Sequence, residues 1–231
     1  MKRIIMFIIA LAICFMGIIY CVYQDINEFY FADQDLIKKV SSSTPDYTKI
    51  DKIPKELVDA ILAVEDKRFY MHYGFDILGI GRAFISNLRE GEVVQGGSTI
   101  TQQLAKNLFL SSEKSLKRKL KELFIAVKIE SLYTKEEILE MYLNTIYYGA
   151  GAHGIQAASK TYFNKNVEDL TVTQCTMLAG LPQAPSLYNP KKYLERAKKR
   201  QEIVVDSMSK NGYISKEIEK KIKKQMICIF Q

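Results

Sequence analysis

Apolar residues recur at helical spacing along most of the chain, and no alternating strand pattern of any length appears. The pattern predicts a mainly α protein. Leu57, Ile61 and Val64 share one face of a helix that runs into Glu65, with Pro54 suited to its first turn. Ile77, Ile80, Phe84 and Leu88 mark the apolar face of a second helix, capped by Asp76 and ended by Gly91. Leu116, Leu120, Leu123 and Val127 predict the inward face of a third, opening near Ser111-Ser112. Ile138, Leu139, Tyr142 and Leu143 mark a fourth. Thr99 with Gln102, Thr134 with Glu137 and Thr171 with Gln174 have the spacing of capping boxes, each opening a helix. Helix resumes from Ile155 to Phe163, a proline-punctuated loop follows Gly180, and two charged helices flank Asn211-Gly212.

The N-terminus departs from this amphipathic pattern. Lys2-Arg3 precede an uncharged run over 4–23, and about 20 apolar residues cross a bilayer as a helix. The positive flank keeps the N-terminus cytoplasmic and sets the rest outside. The run ends in Tyr20-Cys21-Val22-Tyr23-Gln24, without the small-residue cleavage site of a signal peptide, so an uncleaved anchor is expected. The expected organisation is a cytoplasmic flank and transmembrane anchor over 1–23 and a stalk and entry segment over 24–53. The main domain covers 54–200 and a charged helical segment 201–231.

The chain has 231 residues and a formal net charge of +7, which favours an anionic partner. No zinc finger or aromatic-basic ladder is present, so nucleic acid is not expected. Of four cysteines, Cys14 and Cys21 fall in the apolar run. Cys175 and Cys228 lack metal-ligand spacing and are expected to pack rather than pair.

Three stretches carry candidate chemistry. Residues 64–74 hold adjacent carboxylates, Glu65 and Asp66, where an apolar helix ends. The helix dipole disfavours negative charge there, so an acid against apolar neighbours acquires a raised pKa and can act as a base. The bland alternative is a solvated helix end with both acids paired to Lys67 and Arg68. In 96–108, Gly96-Gly97-Ser98-Thr99 leads into a capped helix whose exposed amides and hydroxyls suit phosphate or sugar oxygens. Gln103 and Lys106 share a face of that helix; an ordinary glycine turn explains the same residues. In 114–122, Arg118 and Glu122 are four apart within a charge run that reads as a solvated helix face.

Five segments, in order, resemble the peptidoglycan glycosyltransferases of family 51, the transglycosylase domains of class A penicillin-binding proteins and their monofunctional relatives. They are Glu65-Asp66-x-x-Phe69-x-x-His72-x-Gly74, then 96–103 with Lys106, then Arg118-Lys119-x-x-Glu122, then Ile138-Leu139-Glu140-x-Tyr142-Leu143-Asn144, then 178–186. The likeness covers about residues 45–200. Gln174 and Cys175-Thr176 depart from the family pattern, as helix-packing changes. The chain ends at Gln231 without room for a transpeptidase domain, so the monofunctional form is the expectation.

The resemblance implies a lysozyme-like helical glycosyltransferase domain with a small apolar lobe at the membrane. Phe75, Ile77, Leu78, Ile80 and Phe84 are candidates for that lobe, as they are for a closed core. It implies polymerisation of lipid II into β-1,4 glycan, with undecaprenyl pyrophosphate as leaving group. Glu65 becomes the base and Glu122 the second carboxylate; Lys106, Arg118 and Lys119 face the pyrophosphate. Asp66, Ser98, Thr99, Gln102 and Gln103 position sugars and phosphates, while Phe69 and His72 shape the site. No cofactor is required and no dedicated metal site is visible, though a divalent cation, Mg or Mn, is compatible with the leaving group. Expected partners are lipid II, the growing glycan strand, membrane lipid and other cell wall synthesis proteins. The rival readings are a membrane-anchored lytic muramidase-like enzyme and a non-catalytic lipid II-binding scaffold. The clustered cations weigh against the first, since water attacking a neutral polysaccharide needs no pyrophosphate site.

Overall fold

The computed structural model describes residues 35–90, 96–110, 115–225 and 229–230, with Met6, Ile9, Met16 and Gly17 near the N-terminus. The side chains at 84, 87 and 90 are outside this set, as are Gly91, Ser111-Ser112 and Cys228. The expected anchor over 4–23 also lies outside the described residues except at those four positions. Among the described residues, no helix is long and apolar enough to cross a membrane.

The molecule is mainly helical. The helices are α1 (Leu36–Ser43), α2 (Lys55–Glu65), α3 (Ile77–Glu90), α4 (Ile100–Phe109), α5 (Leu116–Leu132) and α6 (Lys135–Thr145). After a short antiparallel hairpin, β1 (Tyr147–Gly149) and β2 (Ala152–His153), come α7 (Ile155–Phe163), α8 (Val172–Gly180), α9 (Leu194–Lys210) and α10 (Lys216–Lys224). All three capping boxes form, at Thr99, Thr134 and Thr171. Each satisfies two orphan helix-end donors and is worth about 1 kcal/mol.

Two packed groups of helices build the core. α2, α8 and α9 pack mutually, and α4 packs against both α5 and α6. α2 buries Leu57, Ala60, Ile61, Leu62 and Ala63. Leu57 and Ile61 are completely buried, which stabilises by about 1.5–3 kcal/mol each. Ser207 of α9 donates a 2.5 Å hydrogen bond to the Ala63 carbonyl, tying α9 to the last turn of α2.

Several expectations need correction. Pro54 takes the position before the first turn of α2 rather than lying within it. α5 starts at Leu116, capped by Ser115, and Leu116 is 87 % exposed. The buried stripe of α5 is instead Glu122, Ile125, Ala126, Ile129 and Glu130, because two buried carboxylates share the inward face with the aliphatics. The segment before residue 54 is no free stalk where it is described. Glu140 accepts hydrogen bonds from Tyr47 Oη, Lys49 Nζ and the Ile50 amide at 2.8, 3.1 and 2.8 Å. Asn144 pairs with both backbone groups of Thr48 at 2.8 Å. A boundary at 200/201 would cut α9 in mid-helix.

Candidate active site

Glu65 is the last residue of α2, where the helix carbonyls end. Its side chain is 11 % exposed. Three helices close around it. Gln103 Nε2 of α4 donates to Oε2 at 2.8 Å, and the Arg200 guanidinium of α9 stands 3.6 Å from Oε1. Tyr142 of α6 donates its hydroxyl to Gln103 Oε1 at 3.2 Å. Burial pushes the Glu65 carboxyl above its ordinary value; the Gln103 hydrogen bond, Arg200 and Lys106 pull it back, and Asp66 adds to the rise. A carboxyl whose pKa is raised in this way is better suited to take up a proton than an ordinary solvated one.

Asp66 sits beside Glu65 but turns the other way. It is 6 % exposed, and its Oδ2 accepts the Ile100 amide at 3.0 Å, at the N-terminus of α4. The same carboxylate meets His72 Nε2 at 2.9 Å. A negative charge at a helix N-terminus is favourable, so Asp66 locks α4 onto the end of α2. Thr99 Oγ1 donates to the Gly74 carbonyl at 2.7 Å, a second tie between the same segments. Gly74 has φ +82°, and a Cβ there would lie 2.9 Å from the Val127 amide nitrogen, so only glycine allows the approach to α5. Gln102 Oε1 accepts from the Thr99 amide at 2.9 Å, and both residues are buried. Phe69 is 1 % exposed, with the Lys135 ammonium 4.3 Å from its ring centroid. Asp66, Phe69, His72, Thr99 and Gln102 are thus committed to contacts inside the protein.

Glu122 is almost fully buried on α5, one turn beyond Arg118 and Lys119. Arg118 bonds its Oε2 at 3.1 Å, and the Lys119 ammonium is in direct contact with its Oε1. Lys119 also donates to Ser98 Oγ at 2.8 Å, joining α5 to the glycine-rich loop. The charge run is therefore not wholly a solvated face: one acid faces inward and holds two cations at the surface. Lys106 is exposed on α4, close enough to Glu65 to affect its charge. Among the described residues, no three His, Cys, Asp or Glu side chains come together as a metal site.

Sequence reasoning missed Arg200, Tyr142 and Tyr148 as neighbours of Glu65. Arg200 lies in a charge-rich stretch that reads as solvated, yet it falls three after Ala197 and four before Val204, both buried. Its Nε donates to the Gly180 carbonyl at 3.2 Å, and a Cβ on Gly180 would sit 3.0 Å from Arg200 Cγ. Tyr148 of β1 is fully buried, its hydroxyl without a hydrogen-bond partner among the described residues, and it feels the Glu65 charge. The 178–186 segment thus backs Arg200, while Glu140 and Asn144 clamp the entry segment.

The surface of α3 is apolar and exposed. Ile77, Leu78, Ile80, Ile85 and Leu88 are 46–73 % accessible and fall within one half of the helix circumference. Gly97 of the glycine-rich loop packs along one edge of the stripe, where a Cβ would lie 3.3 Å from Ile80 Cα and 3.6 Å from Ala83 Cβ. This face therefore does not close a core; it is a solvent-facing apolar stripe.

The family model described as Transglycosylase matches residues 33–209 of the chain. Penicillin-binding protein 1A of Neisseria flavescens is 50% identical over 186 residues, which cover 80% of this chain and 23% of that protein. Penicillin-binding protein 1A of Aquifex aeolicus (strain VF5) is 47% identical over 191 residues, 83% of this chain and 26% of that protein. The chain spans about a quarter of the length of these curated relatives. The crystal structure of penicillin-binding protein 1A from Haemophilus influenzae overlays with a TM-score of 0.47 at 26% identity, over 80% of this chain and 18% of that one.

Proposed function

The chain belongs to the transglycosylase family, the domain found in class A penicillin-binding proteins, and from that premise we propose that it polymerises lipid II into β-1,4-linked glycan strands in cell wall synthesis. Undecaprenyl pyrophosphate is the leaving group, and the anomeric configuration inverts.

The observation that carries this reading is the setting of Glu65, a buried carboxylate with a raised pKa, held by one amide and one guanidinium. In the proposed reaction Glu65 takes the proton of the acceptor sugar's 4-hydroxyl as its oxygen attacks the anomeric carbon of the growing strand. The C1–O bond to pyrophosphate breaks, and the negative charge on the departing oxygen needs compensation. Arg118 and Lys119 are assigned that work, together with Lys106, whose charge is felt at Glu65. Glu122 is assigned to holding both cations in register rather than to proton transfer, since both its oxygens are occupied by them. Ser98 accepts from Lys119 and is assigned to a phosphate oxygen beside it. Gln103 is a positioning residue for the base. Asp66, Thr99, Gln102, His72 and Phe69 are assigned to bracing these groups.

The exposed apolar stripe of α3 supports a site that works at a lipid surface; the uncharged run over 4–23 behind Lys2-Arg3 is the ground for an N-terminal anchor with catalysis outside the cytoplasm. The test is incubation of the detergent-solubilised full chain with lipid II. Glycan chains and released undecaprenyl pyrophosphate are expected. A folded protein that binds lipid II without making polymer would overturn the reading in favour of a scaffold. Cleavage of finished glycan would replace it with a lytic one.

A further inference from the structure

The Tyr142 side chain is completely buried, and among the described residues its hydroxyl makes one hydrogen bond, to Gln103 Oε1 at 3.2 Å. Burial and the nearby Glu65 charge push the phenol far above its ordinary value, so it keeps its proton and acts as a donor. A buried donor left unmatched is costly. The hydroxyl hydrogen therefore has one place to go, the amide oxygen of Gln103. With that oxygen engaged, the amide NH2 must face the other way, and there it meets Glu65 Oε2 at 2.8 Å. The reversed amide would strand the phenol hydrogen and set Gln103 Oε1 against the carboxylate.

We propose that Tyr142 is a positioning residue for the base: through Gln103 it fixes which end of an amide Glu65 meets, and so favours the ionised carboxylate. This rests on the reading of Glu65 as the base of a polymerase. The groups facing Glu65 come from every element packed on it. Asp66 is its chain neighbour, Gln103 and Lys106 lie on α4, Tyr142 on α6, Tyr148 on β1 and Arg200 on α9. Of those favouring the ionised form, Gln103 has the largest influence, ahead of Arg200 and Lys106. Tyr142 controls the orientation on which that influence depends.

The test is Tyr142→Phe in the full chain, which keeps the ring and removes only the hydroxyl. Two readouts are taken in detergent micelles: the pH profile of kcat/KM on lipid II, and the 13C titration of the Glu65 carboxyl, assigned by its loss in Glu65→Gln. Freed of its lock, Gln103 can present its oxygen to a protonated Glu65. The acidic limb and the carboxyl titration should both move up by about 0.5–1 pH unit. The high-pH plateau should stay within about threefold of wild type, since the base itself is intact. Gln103→Met should move the carboxyl titration the same way, and adding Tyr142→Phe to it should move it no further. A uniformly lower plateau with limb and titration unmoved would assign Tyr142 a packing role and overturn the proposal. Should Tyr142→Phe fail to fold, Gln103→Met alone decides: an unmoved carboxyl titration refutes the proposal. A wild type inactive on lipid II would end the polymerase reading, while the carboxyl titration would still test the Tyr142 relay.

Discussion

Asp66 offers the sharpest separation between bracing and catalysis, because it adjoins Glu65 in the chain and does a different job in the fold. Asp66→Ala removes the acceptor of the Ile100 amide at 3.0 Å and the partner of His72 at 2.9 Å. Ile100 is fully buried and the His72 side chain is 7 % exposed, so water does not replace either contact easily. A hydrogen bond to a charged group contributes about 1.5–3 kcal/mol, and each stranded buried donor adds a cost of similar size. The helix N-terminus contributes part of the same energy and is not counted again. The expected loss for Asp66→Ala is about 3–5 kcal/mol, a large share of the about 5–15 kcal/mol that stabilises a typical domain. Asp66→Asn keeps one oxygen that the Ile100 amide and His72 Nε2 can share, as they share Oδ2, losing mainly the charge, and should cost about 1–2 kcal/mol. Urea unfolding of the full chain in detergent, followed by tyrosine fluorescence, measures both. An Asp66→Ala protein within about 0.5 kcal/mol of wild type, yet inactive, would refute the bracing role and point the carboxylate at substrate.

Arg118→Met and Lys119→Met should each lower kcat/KM on lipid II by about 100-fold, the usual effect of removing one group that stabilises developing charge, while Ser98→Ala costs less than about tenfold. Steady-state polymerisation in detergent checks all three. As the proposed base, Glu65 would act only when deprotonated, and its pKa is raised, so activity should be lost as pH falls through a point above the ordinary carboxylate range. A kcat/KM profile with its acidic limb at or below that range would contradict the burial argument. Glu140→Ala strands Tyr47, Lys49 and the Ile50 amide and should cost about 2–4 kcal/mol in urea unfolding, with the turnover of the folded fraction preserved. Tyr148→Phe removes a buried hydroxyl that has no partner among the described residues and should leave the melting midpoint unchanged or raise it by about 2–4 °C.

Local rules made much of the fold legible. Each Thr-x-x-Gln or Thr-x-x-Glu box caps a helix as expected, because the donors it satisfies are three residues away. Glu65 lies at the end of its helix because the apolar face of α2 and the helix-breaking turn after it are both local. The face of α5 was not legible. Leu116 and Leu120 fit an inward stripe, but the inward positions go to Glu122 and Glu130, whose charges are compensated by Arg118 and Lys119 and by Lys135. Such compensation depends on partners that helical periodicity does not report. Arg200 was hidden for the same reason: its counter-charge lies 135 positions earlier in the chain, on a helix that meets α9 only in three dimensions. The stripe on α3 was visible as apolar, but which side it shows to the surroundings depended on where the glycine-rich loop packs.

The most direct test of the central claim is kcat/KM for lipid II polymerisation by Glu65→Gln against wild type, both full chain, with folding verified by thermal melting. Loss of at least about 100-fold, flat across pH where wild type shows its acidic limb, is the result expected of a missing base. Activity within about tenfold of wild type, with the limb still present, would mean that another group takes the proton and that Glu65 is not the base.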